Sequence, residues 1–535
     1  MSQSITNGHG RDTTPRHTRV LIIGSGLSGL GTAVRLSQQG YTDFLVIERG
    51  DDVGGTWRVN TYPGAGCDVP SQLYSYSFAL NPEWSRSFSP QPEIQRYIQG
   101  IADRYGVRDK HIFDCAMTSA RWNDADARWE VETTRGAFTA DIVVSAAGVL
   151  AEPNLPDIKG IHTFEGEIFH SAQWDHDADL SGKRVAVIGT GASAVQIVPS
   201  IAPQVAQLDV YQRTAAWVFP HLTRAYLAPE RFAFKHVPGL QRLIRGLIYA
   251  NRELFVISQA KYPATAVLLE LIARVKLWLE VRDPALRKRL TPNFRAGCKR
   301  LLVSNRFYPA LTRDNVELVT DGIEEIRGNS IVSIDGTERE VDAIVLCTGF
   351  HVADSPTYGM FTGRDGLTLS EEFETDGLQA YKGTTVAGFP NAFTMLGANS
   401  GLNYTSLIYV IESQIAYVVD ALATMDEQGL RTFDIRKDVQ DEYNRGVQQK
   451  MARSVWLTGG CSSWFLDRHG NNPTLWPDFS FRFRRMLRRF DVENYETTKH
   501  SAATNSTVTQ SDSTESVART AVSTNPDEKG VHEPA

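Results

Sequence analysis

Two glycine-rich turns are the first places where this 535-residue chain could do chemistry. Gly24-Ser25-Gly26-Leu27-Ser28-Gly29 follows a β-branched run at residues 19–23, and Gly189-Thr190-Gly191-Ala192-Ser193-Ala194 follows another at residues 184–188. Gly24 permits a tight turn, Gly26 lets backbone N–H groups approach a pyrophosphate, and Gly29 lets helix and strand pack closely. The second turn has the same form, with Gly189 and Gly191 in place and Ala194 at the tolerated third position. The end of the next strand separates the two units. Residues 44–47 end in Glu48, about 20 residues beyond the first turn, where a carboxylate accepts hydrogen bonds from a ribose diol and repels a 2′-phosphate. That suits the adenosine half of FAD or NAD. Residues 208–212 end instead in Arg213-Thr214, a cation and a hydroxyl that suit a 2′-phosphate, so this unit reads as an NADP(H) site. One acidic and one basic strand end assign two nucleotides to two sites.

Three further stretches carry reactive side chains. Residues 54–68 read G-G-T-W-R-V-N-T-Y-P-G-A-G-C-D. The glycines and Tyr62-Pro63-Gly64 force an irregular loop of the kind that carries sites. Alone, Trp57 reads as a buried anchor and Asp68 as a turn or cap residue. Residues 164–175 place Phe164, Gly166, His170, Trp174 and Asp175 where a connection between two nucleotide domains would run. A plain linker is the simplest reading, with His170 holding its conformation by hydrogen-bonding backbone. Gly297-Cys298-Lys299-Arg300 ends in two adjacent cations, which in a polar loop are ordinarily just solvated.

Residues 164–175 match F-x-G-x-x-x-H-x-x-x-W-[P/D] at every defined position and so resemble the fingerprint of type I Baeyer–Villiger monooxygenases. Trp174-Asp175 fits that family, whereas the related heteroatom-oxidising flavin monooxygenases usually have Tyr or Phe followed by a basic residue. Residues 54–68 resemble the second signature, [A/G]-G-x-W-x-x-x-x-[F/Y]-P-[G/M]-x-x-x-D. The resemblance implies that Gly55, with Thr56, lies near flavin, that Trp57 contacts the nicotinamide cofactor, and that Asp68 is an active-site carboxylate. It makes Arg300 the active-site arginine and places Lys299 near the 2′-phosphate. Cys461-Ser462-Ser463-Trp464 resembles the family's C-x-S-W, whose Trp lies over the nicotinamide cofactor; otherwise Trp464 is a core aromatic. Ser193 and Gln196, at the start of the second unit's helix, complete the expected cofactor-binding set. Residues 342–350 resemble a return into the FAD domain, and residues 397–404 would supply backbone near flavin. Gly66 departs from many relatives, which carry a basic residue before Cys-Asp; local charge and substrate preference depend on it.

The elements that position these residues require more than one core, because 535 residues are too many for one. The expected class is α/β: two Rossmann-like dinucleotide-binding domains, the FAD domain discontinuous, with a helical insertion in the NADP domain. The expected divisions are a disordered terminus over residues 1–18, FAD-binding parts at 19–153 and 338–495, and an NADP-binding domain at 154–337. The helical insertion covers 222–292, and a Ser/Thr-rich disordered tail covers 496–535. The most apolar window, residues 264–281, contains Glu270, Arg274, Lys276 and Glu280 and reads as a packed helix rather than an integral membrane segment.

Composition narrows the function classes. A hydrophobic share of 42% and a charged share of 22% are ordinary for a globular chain. A net charge of −7 speaks against nucleic acid, which wants a basic face. Five scattered cysteines with no C-x-x-C argue for a reducing compartment and against a disulfide frame, a zinc site or a dithiol reductase. Residues 1–17 contain no apolar run of the secretory kind, so a cytoplasmic enzyme is expected. Its expected cofactors are FAD and NADPH, and its partners a small-molecule ketone and dioxygen. The implied reaction turns the ketone into an ester or lactone through a flavin C4a-peroxide held as an anion by Arg300, with Asp68 orienting the arginine. A heteroatom (N- or S-) monooxygenase uses the same chassis. A reductase, oxidase or nucleotide sensor would need only the two glycine turns.

Overall fold

The strand Arg16–Ile23 is apolar on both faces where it crosses the core, and it is paired in parallel on both edges. Ile22 lies opposite Val46 of Phe44–Ile47 on one side and Val144 of Gly136–Ser145 on the other. A computed structural model describes residues 15–500 of the chain. The sheet continues as Phe361–Thr362, Met117–Asn123, Arg128–Thr133, Gly136–Ser145, Arg16–Ile23, Phe44–Ile47 and His111–Ile112, with Ala392–Thr394 alongside Gly136–Ser145. Strands beyond residue 360 complete a sheet begun at residue 16, so the first nucleotide domain is discontinuous. The helix Leu27–Gln38 follows the first glycine turn. Against it packs Leu407–Gln428, whose Ile411 and Ile415 share a core with Leu30 and Val34. Leu407–Gln428 is long and apolar enough to cross a membrane, but here it is a core helix.

The second sheet is entirely parallel, in the order Val316–Val319, Gln207–Tyr211, Arg184–Ile188, Ala343–Leu346 and Glu167–His170. Val185, Ala186, Val187, Ile344 and Val345 are fully buried. Strands covered on both faces need such continuous apolar runs.

Several sequence expectations are corrected. Residues 164–175 are more than a linker: Glu167–His170 is the edge strand of the second sheet, paired with Ala343–Leu346. The motif's residues build that edge. A Cβ at Gly166 would stand 2.4 Å from the Asp342 carbonyl oxygen, and Trp174 packs edge-on against Phe169 at 5.0 Å. Ala343–Leu346, expected to open the second FAD part at 338, instead lies between Arg184–Ile188 and Glu167–His170. Arg16 and His17, expected to be disordered, belong to the first strand, and Tyr495–Lys499 pairs antiparallel with Leu430–Ile435. The remainder of both expected disordered termini, residues 1–14 and 501–535, lies outside the described residues. Residues 264–281 do form a helix, Ala266–Glu280, but it is not packed as the apolar pattern suggests: Leu268, Leu271 and Trp278 face outward while Glu270 and Lys276 are buried.

Candidate active site

One continuous cavity of about 1580 Å³ is lined by residues at the carboxyl ends of parallel strands in both sheets, among them Ile23, Ile47, Ile188, Tyr211 and Cys347. Ligands of open α/β sheets bind at such strand ends. A drug-sized ligand fills about 300–1000 Å³, so this volume accommodates more than one.

The glycine turns divide the labour as their spacing predicts. Gly24 has a φ of +100°, and a Cβ there would lie 2.6 Å from the Ala146 carbonyl oxygen; at Gly29 it would lie 1.8 Å from that of Gly24. Both positions are filled by protein. At Gly26 the nearest atom to an added Cβ is Gly55 Cα at 3.6 Å, and at Gly191 nothing lies within 4 Å. Those bare faces open onto the cavity, which is where a pyrophosphate would be cradled. Glu48 is buried at the strand end and accepts hydrogen bonds from the backbone N–H of Ser25 at 2.7 Å and of Gly50 at 2.8 Å. A carboxylate has about four acceptor positions, so two are left for a ribose diol. Ser25 Oγ, also lining the cavity, is fully buried with no partner among the described residues.

At the second unit, Arg213, Thr214 and Lys299 all line the cavity. Burial lowers the Lys299 ammonium, and the neighbouring charge of Arg213 lowers it further. Two like charges held together around open space form a site for a polyanion. Ser193 and Gln196 line the same cavity, and Gln196 also reaches across it. Its Oε1 accepts from Tyr62 Oη at 3.1 Å and from the Gly66 N–H at 3.3 Å, and its Nε2 donates to the Gly66 carbonyl at 3.0 Å. Gln196 therefore pins the 54–68 loop to the second unit.

That loop brings Asp68 to Arg300. Arg300 donates from Nη2 to Oδ1 at 2.6 Å and to Oδ2 at 2.7 Å, and from Nε to Oδ2 at 2.9 Å. Nη1 has no protein partner among the described residues. The side chains are 36% and 22% exposed, and both line the cavity. Burial alone would raise the Asp68 carboxyl, but the charge and hydrogen bonds of Arg300, helped by Arg252, hold it below the usual carboxylate range. Asp68 in turn raises the Arg300 guanidinium. Arg252 was not singled out in the sequence. It lies on the helix Leu240–Glu253, in the insertion, and only the fold brings it to Asp68.

Trp57, Gly55 and Thr56 line the same cavity. Trp57 is buried, and its Nε1 donates to Tyr74 Oη at 2.9 Å. Trp464 also lines the cavity and is 49% exposed, so it is not a core aromatic. His170 does not reach the cavity lining; its Nδ1 accepts from the Ala172 N–H at 3.1 Å, the backbone role expected for it. The expectation against disulfides is overturned at one pair. Cys298 and Cys461, 163 residues apart, are bonded, which ties the Lys299-Arg300 loop to the Ser462–Trp464 loop. Cys67, Cys115 and Cys347 are free and buried. No C-x-x-C marks such a pair, because its spacing is set by the fold.

The profile of the flavin-binding monooxygenase-like family matches residues 17–228. A Baeyer–Villiger monooxygenase of Streptomyces coelicolor is 50% identical over 481 residues, 90% of this chain and 92% of the relative. The chain belongs to the Baeyer–Villiger monooxygenase family. Another Baeyer–Villiger monooxygenase, from Pseudomonas aeruginosa, is 46% identical, again over 90% of this chain and 92% of the relative. Among solved structures, the complex of OTEMO with FAD and NADP has a TM-score of 0.83 at 26% identity, covering 91% of this chain and 100% of that one. Steroid monooxygenase bound to NADP has a TM-score of 0.79 at 30% identity, with the same coverage.

Proposed function

We propose that this chain is an FAD- and NADPH-dependent Baeyer–Villiger monooxygenase that converts a ketone to an ester or lactone with dioxygen. The observation that carries the reading is the Asp68–Arg300 fork, set in one cavity with a nucleotide site on either side. When bound, FAD reduced by NADPH supplies the electrons that activate dioxygen. The chain's own residues do the rest. Gly24, Gly26, Gly29 and Glu48 hold the first nucleotide, with Gly55 and Thr56 close by. Gly189, Gly191, Ser193, Arg213, Thr214 and Lys299 hold the second, with Trp57 and Trp464 against it, and Gln196 sets the loop between them.

Arg300 keeps its positive charge at every working pH, so it presents a fixed donor edge to negative charge that develops on oxygen as the ketone is attacked. Asp68 fixes the plane of that guanidinium by engaging Nε and Nη2, leaving Nη1 for the reacting atoms. Arg252 adds a second positive charge beside Asp68, so the group as a whole stays cationic. We take the reaction to be cytoplasmic, a setting that suits its use of NADPH. The test is ester formed per NADPH and dioxygen consumed, across cyclic, linear and aryl ketones and one sulfide. Stoichiometric ester supports the reading. Sulfoxide without ester moves the enzyme to the heteroatom class, and hydrogen peroxide alone leaves only an oxidase.

A further inference from the structure

The helical insertion is built inside out. In Leu240–Glu253 the buried residues are Gln241 and Glu253, and Arg245 points inward to donate to the Gln72 carbonyl at 2.7 Å. Leu243, Leu247 and Leu254, spaced along one face, are 58–59% exposed. Ala266–Glu280 repeats the inversion. Glu270 turns inward to Arg295 at 3.0 Å, and buried Lys276 pairs with Glu280. Outward, Leu268, Leu271, Ile272, Val275, Trp278 and Leu279 recur at heptad-like spacing and are 43–65% exposed. Scattered exposed leucines need no explanation, but an apolar stripe left exposed on each of two consecutive helices marks an interaction surface.

Charge identifies what covers it. Residues 222–292 carry thirteen Lys and Arg against five Asp and Glu, a net +8 in a chain of net −7; Arg245, Arg252 and Lys276 face inward, as do Glu253 and Glu270, so the outer side keeps an excess of cations. Arg242, Arg274, Arg282 and Lys288 are exposed beside the apolar stripe. A second copy of the same face would meet it with the same sign of charge, which disfavours pairing. An acidic lipid surface would meet it with the opposite sign. The geometry also excludes crossing. The two helical segments, Leu240–Lys261 and Pro263–Glu280, are bent by 117° to each other; the second is about 27 Å long against a hydrocarbon core of about 30 Å, and the first turns Gln241, Arg245 and Glu253 into the protein. An apolar face of this length, flanked by Lys and Arg, lies in the plane of an interface.

We propose that the outer face of residues 240–280 docks this enzyme, as a peripheral protein, on an anionic lipid leaflet. The inner side of the first docking helix carries Arg252 to Asp68, so the lipid-facing helix directly backs the candidate active site. Docking itself does not depend on the reaction proposed above. The test is co-sedimentation of the full-length, FAD-loaded protein with vesicles of phosphatidylcholine, alone or mixed with phosphatidylglycerol, at low and high salt. The expected result is binding to the anionic vesicles only, weakened by salt. It should fall at least about tenfold in Leu271→Glu and Trp278→Glu, and less in Arg274→Glu. FAD content and thermal midpoint, measured on each variant, should match the parent. Bromine-labelled lipid should quench the parent's fluorescence more than that of Trp278→Phe. Failure to bind, equal binding to neutral vesicles, or binding unchanged in Leu271→Glu and Trp278→Glu would overturn the proposal. So would a dimer, seen by light scattering, that Leu271→Glu dissolves while no variant touches lipid; that result gives the face to a second copy.

Discussion

Replacing Arg300 by alanine tests the centre of the proposed mechanism. The guanidinium commits Nε and Nη2 to Asp68 and leaves Nη1 as the donor to reacting oxygen. Loss of one preorganised donor to an oxyanion costs about 3–4 kcal/mol, or 10²–10³ in rate. Structural damage is expected to be smaller. Breaking a fully buried ion pair costs about 3–5 kcal/mol and an exposed one contributes about 0–1. This pair is partly open to the cavity and Arg252 stays near Asp68, so about 1–3 kcal/mol is expected, and the protein should still fold. The assay measures ester and hydrogen peroxide per NADPH, alongside anaerobic flavin reduction. Arg300→Ala should reduce flavin at a near-parental rate, yield ester at least about a hundredfold more slowly, and release its oxygen as peroxide. Arg300→Lys should recover little, because a compact, rotatable ammonium lacks the planar fork that holds both Asp68 oxygens while aiming a further N–H at the reacting oxygen. Asp68 supplies an internal control through its depressed carboxyl. A carboxyl lowered by folding stabilises the parent above the ordinary carboxylate range and loses that contribution as pH falls through its folded value. Arg300→Ala lacks it, so the gap in thermal midpoint between parent and variant should close in acid. An Arg300→Ala enzyme that makes ester at near-parental rate would refute the assignment.

Four other outcomes are expected. Gly26→Val should fold and yet purify without flavin, since the protein leaves room for its Cβ but the side chain would fill the space a pyrophosphate needs; Gly29→Val should fail to fold, because that site is filled by the Gly24 carbonyl. A flavin-loaded Gly26→Val protein would move the first nucleotide elsewhere. Arg213→Ala should weaken NADPH by about tenfold or more, the loss of one charge-assisted hydrogen bond, and leave NADH nearly unchanged in steady-state kinetics; equal losses would remove Arg213 from the 2′-phosphate. Asp434, raised to about 7 by burial against the opposing charge of Arg364, should make the parent less stable as pH rises from about 4 to 8. The displacement corresponds to about 4 kcal/mol, so Asp434→Asn should melt with the parent in acid and above it at pH 8, and a pH-independent gap would contradict this. Thiol titration of the denatured, unreduced protein should count three thiols, from Cys67, Cys115 and Cys347; five would mean that Cys298 and Cys461 are not joined.

The local features of this protein were legible in the chain. A turn between strand and helix, an acidic or basic strand end, and an irregular Pro-Gly loop are set by residues a few positions apart, so Gly24, Gly26, Gly29, Glu48 and Arg213 could be read directly, as could the family motifs around Trp57 and Asp68. What joins distant segments was decided only by folding. The Asp68–Arg300 fork, anticipated only through the family resemblance, spans 232 positions, and the Cys298–Cys461 bond, not anticipated at all, spans 163; neither separation leaves a periodic trace in the sequence. Ala343–Leu346 was legible as a strand, but any apolar run of that length fits among the parallel strands of either sheet, and only pairing placed it in the second. The helix Ala266–Glu280 makes the same point from the other side. Its period of about 3.6 fixes which residues share a face. Which face turns inward depends on what lies beneath, and here Arg295 and Tyr308 lie under Glu270 and Lys276, so these two are buried with Ala266, Ala273 and Leu277 while the broader apolar stripe is left outside.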